Sequence, residues 1–201
     1  GVQTCALPIS VFYTGGGVIN SGKAASQLLR ELVELTGFPI TSTLMGLGAY
    51  PASGKHWIGM LGMHGTYEAN NTMHDCDLMI CVGARFDDRI TGRLAAFSPG
   101  SKKIHIDIDP SSINKNVKVD LPIVADCAHA LEDMTRLWRA SGAQADKAAL
   151  AEWWKQIDKW RARKSLAYRP SKATIKPQYA IQRLYELTKD KDCYITTEVG
   201  Q

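Results

Sequence analysis

Apolar and polar positions along the chain follow two rhythms that take turns. Short apolar runs at residues 10–13, 39–43, 78–82, 104–108 and 122–125 read as β-strands. Between the first two, Leu28, Leu29, Leu32, Val33 and Leu35 mark one face of a helix over residues 22–36. Ser21 is its expected N-cap, and Gly37 and Pro39 are its stop. Further helices are expected over residues 66–74 and from about Cys127 to Arg139. Strand and helix alternate with short connections. This predicts an α/β fold over residues 10–141, a doubly wound, mostly parallel sheet covered on both faces.

Beyond that domain the pattern changes. Residues 144–165 read as a charged helix carrying Trp153, Trp154 and Trp160, and residues 166–176 (LAYRPSKATIK) as a Pro-punctuated connection. The whole of 142–176 is therefore expected to be a helical linker. Pro177 then opens an amphipathic helix over 178–188, and residues 193–196 begin a strand, so that 177–201 start a further unit.

Composition narrows the function more than the fold. The 201 residues suffice for a full core, and 45% hydrophobic with 22% charged residues is ordinary for a globular protein. A formal charge of +4 is too mild to argue for nucleic acid, and its basic excess lies largely between Lys155 and Lys176, a solvated helix face and loop. No apolar run reaches the length of a membrane span. TCALPIS (residues 4–10) is too short for a signal peptide. Cys5, Cys76, Cys81, Cys127 and Cys193 are scattered without metal-ligand spacing, which predicts reduced thiols, no metal site and a cytoplasmic setting.

Candidate chemistry gathers where predicted strands end. YTGGGVINSG (residues 13–22) lies between a strand and a helix, where backbone N–H groups can cradle phosphate. It misses a dinucleotide fingerprint at Asn20. It matches a P-loop from Gly17 through Gly22 and Lys23, then fails at Ala24, where Ser or Thr must hold magnesium. Gly62, Met63, His64 and Gly65 form a second glycine-bearing turn. The apolar strand at 78–82 runs into VGARFDDRITG (residues 82–92). There Gly83 permits close backbone approach, and Arg85 and Arg89 can bond a pyrophosphate. Asp87 and Asp88 can pair with those arginines or accept from a ligand. HIDIDP (residues 105–110) offers Asp107 or Asp109 to ribose hydroxyls, or as turn residues before Pro110.

Together YTGGGVINSG, TSTLMGLGAYP, LGMHGTYEANNTMHDCDLMICVGARFDDRITG, HIDIDPSSINKN and the terminal ITTEVGQ closely resemble the large catalytic subunit of the acetolactate synthase family. These are thiamine-diphosphate enzymes of branched-chain amino-acid synthesis, and the resemblance runs from about Ser10 to Gln201. It implies a Rossmann-like central domain that binds FAD, with thiamine diphosphate and Mg²⁺ held in the complete enzyme. Carried over, Gly15, Gly16 and Gly17 approach the pyrophosphate, while Thr43, Leu44 and Met45 flank the flavin. Leu61, Gly62, Met63, His64 and Gly65 run beneath the cofactor. Gly83, Arg85, Asp87, Arg89 and Ile90 take the nucleotide and pyrophosphate. Asp107 with Ile108, and Asp126 with Cys127, take the ribose and adenine end.

The same resemblance places Met63, Asp88 and Arg89 at the substrate channel, and Val199, Gly200 and Gln201 at the first thiamine-diphosphate contacts. It implies 2-keto acids as substrates, and a homodimer or tetramer with a regulatory subunit. No catalytic residue is expected within 10–201, because the activating glutamate and the GDG…N motif belong to domains that this stretch does not match. On its own the stretch is expected to be inactive. Residues 1–9 (GVQTCALPI) do not resemble what precedes this domain in the family and are expected to be a foreign leader. The rival readings are a P-loop NTPase, an FAD- or ADP-binding relative such as a pyruvate oxidase or oxalyl-CoA decarboxylase, and a non-catalytic dinucleotide-binding module.

Overall fold

A computed structural model describes residues 9–196; most of the proposed leader, Cys5, and the Val199, Gly200 and Gln201 contacts lie outside the described residues. The chain divides into two compact units between Ser165 and Leu166.

The first unit is built on a six-stranded sheet. In chain order its strands are β1 (Ser10–Thr14), β2 (Ile40–Ser42), β3 (Trp57–Met60), β4 (Leu78–Val82), β5 (Lys102–Asp107) and β6 (Leu121–Val124). They stand in the order β3-β2-β1-β4-β5-β6, and every neighbouring pair is parallel. Central β1 and β4 pair in unbroken register from Ser10 against Leu78 to Thr14 against Val82. Both of their faces are covered, which is why they read as continuous apolar runs rather than alternating ones.

Helices α1 (Gly16–Asn20), α2 (Lys23–Thr36) and α5 (Cys127–Ser141) cover one face. There Leu29, Leu32, Val33 and Leu131 meet Phe12, Ile80, Val82 and Ile106. Helices α3 (Tyr67–Asp75) and α6 (Lys147–Arg161) cover the other, where Ala69, Met73, Trp153, Ile157 and Trp160 meet Val11, Tyr13, Met79 and Cys81. A fourth helix in chain order, α4 (Asp88–Thr91), is a single turn at the end of β4.

Several expectations are corrected. Ser21 does not cap α2: Gly22, at φ +99°, takes the N-cap position, and Ser21 closes α1 instead. The glycine-rich stretch winds into α1 because Val18 is drawn fully into the core, although its glycines favour a turn. Strand β3 was not anticipated, since Gly59 at φ +94° interrupts a short run at the sheet edge. Residues 193–196 form no strand, for no described segment pairs with them. Helix α6 is no free linker. Trp153, Ile157 and Trp160 recur at helical spacing and bury on the sheet, and the Trp153 and Trp154 indoles donate to Ser10 O and Gly37 O.

The second unit contains α7 (Pro177–Thr188), preceded by irregular chain over 166–176. Pro177 opens the helix at a position where its missing N–H costs nothing. Its apolar side chains Ile181, Leu184, Tyr185 and Leu187 are exposed.

Candidate functional site

In open parallel sheets, ligands lie outside the carboxyl ends of the strands, where the strand order reverses. Here that point lies between β1 and β4. The residues singled out from sequence fall at these ends, one group to each strand. Gly15, Gly16 and Gly17 follow β1, and Thr43, Leu44 and Met45 follow β2. Leu61 to Gly65 follow β3, and Gly83 to Ile90 follow β4. Asp107 and Ile108 stand at the end of β5, Asp126 and Cys127 just past β6.

The loops interlock through missing side chains. A Cβ on Gly15 would meet Gly83 O at 2.4 Å, and one on Gly17 would meet Gly83 Cα at 2.6 Å. Gly46, after β2, is as tightly set against Thr14 O, at 2.7 Å. Gly15 and Gly17 donate their N–H groups to Val82 O and Gly83 O. Gly16 opens α1, where no intrahelical acceptor exists for its N–H. This geometry excludes a P-loop. Four of the residues that such a loop would leave open, Gly17 to Asn20, are helical, with Ser21 N–H bonded to Gly17 O and Gly22 N–H to Ile19 O.

The loop after β3 meets the loop after β4. Met63 N–H donates to Arg89 O at 3.2 Å, and a Cβ on Gly62 would stand 2.8 Å from the same oxygen. Met63, Asp88 and Arg89 are thus neighbours, and all three side chains are exposed. Sequence reading missed Asn70 of α3, which holds this loop. Its Oδ1 accepts from Gly62 N–H at 2.8 Å, and its Nδ2 donates to Gly62 O at 3.0 Å.

Charges and apolar groups segregate around the rim. Leu44 and Met45 after β2, and Met63 after β3, are 55%, 75% and 64% exposed. Arg85 and Arg89 project from the loop after β4, and Arg85 pairs with Asp87 at 2.9 Å. That pair is open to solvent and contributes little to stability. Asp109 is a turn residue: its carboxylate accepts from Ser111 N–H and the hydroxyls of Ser111 and Ser112, which hold its pKa below the ordinary value. Asp107 accepts from Asp109 N–H through Oδ1.

Asp126 caps α5 and accepts the Ser21 hydroxyl at 2.7 Å, tying the glycine-rich end of β1 to the last strand. That hydroxyl, with the Ala128 and His129 N–H groups, depresses its pKa despite an opposing desolvation effect. Cys127 is buried beneath Gly83, whose Cβ would stand 2.8 Å from the Cys127 sulfur. Burial pushes that thiol up to about 12. A rim with the open Gly16 N–H and two arginines beside the exposed apolar side chains of Leu44, Met45 and Met63 fits a ligand that is part anionic and part planar, as a flavin dinucleotide is.

A family model described as the central domain of thiamine pyrophosphate enzymes matches residues 9–134. The acetolactate synthase isozyme 3 large subunit of Escherichia coli (strain K12) is 49% identical over 191 residues, which cover 95% of this chain and 33% of the relative. The acetolactate synthase large subunit of Haemophilus influenzae is 44% identical, with the same coverage of 95% and 33%. Acetolactate synthase 1, chloroplastic, of Zea mays is 44% identical, covering 95% of this chain and 29% of the relative. The chain thus spans about a third of the length of the relatives it matches.

Proposed function

Because the chain belongs to the family of thiamine pyrophosphate enzymes, whose central domain it carries, we propose that it binds FAD across the carboxyl ends of β1 and β4 as part of an acetolactate synthase. The observation that carries this reading is the convergence of six strand-end groups on one rim, charged after β4 and apolar after β2 and β3. Arg85 and Arg89 bind the diphosphate, and Gly16 contributes its N–H. Leu44, Met45 and Met63 give the flavin ring an apolar seat. Asp107 and Asp126 face the ribose and adenine end. Met63, Asp88 and Arg89 border the route by which a 2-keto acid reaches the reacting centre.

In the complete enzyme, thiamine diphosphate with Mg²⁺ supplies the carbanion chemistry that joins pyruvate to a second 2-keto acid; protein groups position and shield it. The role of this chain is to hold a cofactor and to form one wall of the channel. It makes no acetolactate alone, and acetolactate formed by the purified chain would refute that. The complete protein is cytoplasmic and works as a homo-oligomer with a regulatory subunit.

The test is a titration of the chain with FAD, read by quenching of flavin fluorescence, with Arg85→Ala in parallel. Saturable binding that weakens about tenfold in the variant supports the site, a loss in keeping with one charge-assisted hydrogen bond. Equal binding by both proteins removes Arg85 from it. A folded chain that does not bind FAD refutes the reading.

A further inference from the structure

Three successive carbonyls in the loop after β4 are held by side chains from elsewhere. Ala84 O accepts from His105 Nε2 at 2.9 Å and from Cys81 Sγ at 3.0 Å. Arg85 O accepts from the Tyr13 hydroxyl at 2.8 Å, and Phe86 O from Asn116 Nδ2 at 2.8 Å. Tyr13 and Cys81 belong to the core under α3 and α6, and the His105 ring meets Phe86 edge-on at 5.1 Å in that same core. The Ala84 and Arg85 carbonyls therefore turn toward that side of the sheet.

A trans peptide directs its N–H opposite to its C=O, and the described residues contain no cis bond. The N–H groups of Arg85 and Phe86 accordingly point away from the core, and that of Asp87 points away from Asn116. Among the described residues, none of the three has a hydrogen-bond partner within the chain. The Arg85 and Phe86 N–H groups thus face the same side of the loop, open to an acceptor from outside the chain. The neighbouring Asp87 carboxylate is offset by Arg85.

We infer that Tyr13, His105 and Asn116 are positioning residues, which fix the peptides after β4 so that the N–H groups of Arg85, Phe86 and Asp87 cradle the diphosphate of a dinucleotide. The identity of that dinucleotide rests on the FAD reading above; the cradle itself does not. His105 must keep its proton on Nε2, because a carbonyl only accepts. Its Nδ1 is buried without a partner, and burial lowers its pKa, so the ring is neutral.

The test is an amide NMR titration of the full chain with inorganic pyrophosphate, alongside Tyr13→Phe and Asn116→Ala. Asn116 is exposed, so its variant folds even where Tyr13→Phe does not. Pyrophosphate is expected to shift the amides of Arg85, Phe86 and Asp87. Each variant is expected to weaken it about fivefold, as loss of one orienting hydrogen bond implies. Riboflavin, which has no phosphate, is expected to bind the variants as it binds the parent chain. Shifts confined to other amides overturn the inference, and so does an equal loss of both probes. Pyrophosphate bound at these amides by a chain that ignores FAD refutes the FAD reading and leaves the cradle standing.

Discussion

Gly17 and Gly83 touch backbone to backbone: a Cβ on Gly17 would lie 2.6 Å from Gly83 Cα, and one on Gly83 would lie 2.7 Å from Gly17 Cα. Neither neighbour is a flexible side chain that can yield. Gly17→Ala and Gly83→Ala are each expected to lower stability by about 1–3 kcal/mol in urea denaturation, the usual cost of overpacking. Gly83→Ala is expected to be the worse, since its φ of +58° is also unfavourable for alanine. Gly100 has open space around it and an ordinary φ, so Gly100→Ala serves as the neutral control. Equal effects at all three positions would refute the contact.

Acid should loosen the first unit before its carboxylates titrate. Burial lowers the pKa of His105, and lowers that of His56 against the opposing pull of Glu34. Between those lowered values and the ordinary imidazole value of about 6.5, the unfolded chain takes up protons that the folded chain refuses. Stability therefore falls as pH drops below about 6.5. Glu34 is also held low: desolvation raises its pKa, but hydrogen bonds from Lys55 and Tyr50 outweigh it. Asp126, bonded by Ser21, is low as well, and both carboxylates add their losses only at more acid pH. Thermal melts between pH 8 and pH 5 check this, and a Tm that stays flat across the range would contradict it.

The thiols should divide sharply. Burial raises Cys76 to about 11 and Cys127 to about 12, and lifts Cys81 well above its ordinary value. Thiolate is the reactive form, so these three are expected to resist iodoacetamide until the chain unfolds. Cys193 is exposed and is expected to react at once. Peptide mapping after alkylation in native buffer distinguishes them. Early labelling of Cys127 would show that the loop carrying Gly83 lifts away from it.

Asn70 should govern one loop rather than the fold. Asn70→Leu removes both bonds to Gly62 and leaves its buried N–H unpaired, at about 1–3 kcal/mol. Hydrogen exchange is expected to quicken at Gly62 and Met63 while the amides of β1 and β4 keep their protection. Uniform loss of protection would make Asn70 an ordinary stabilising residue.

The parts legible in the sequence are those with local causes. Strand β4 announces itself as five consecutive residues with no charge, and α2 by its repeat from Leu28 to Val33. The groups at the strand ends were visible because glycines and charges interrupt apolar runs there. What stayed hidden depends on distance along the chain. Tyr13 and Arg85 are 72 residues apart and Asn116 and Phe86 are 30 apart, and nothing in the spacing of residues couples them. Packing of α6 was discoverable from Trp153, Ile157 and Trp160 at one helical face, but its abundance of charge pointed to solvent. Helix α1 was hidden by its own glycines, whose intrinsic preference was overridden by tertiary contact.

The bond between Ser21 and Asp126 closes a span of 105 residues, so the rim exists only after the first and last strands have found their places. Pairings so remote in sequence form slowly, because chain entropy must be lost before any contact compensates for it. A nucleotide has nothing to grip while the sheet is still assembling. A nucleotide bound there as proposed would be a ligand of the finished sheet alone, and its concentration would govern how long that form persists rather than how quickly it is reached.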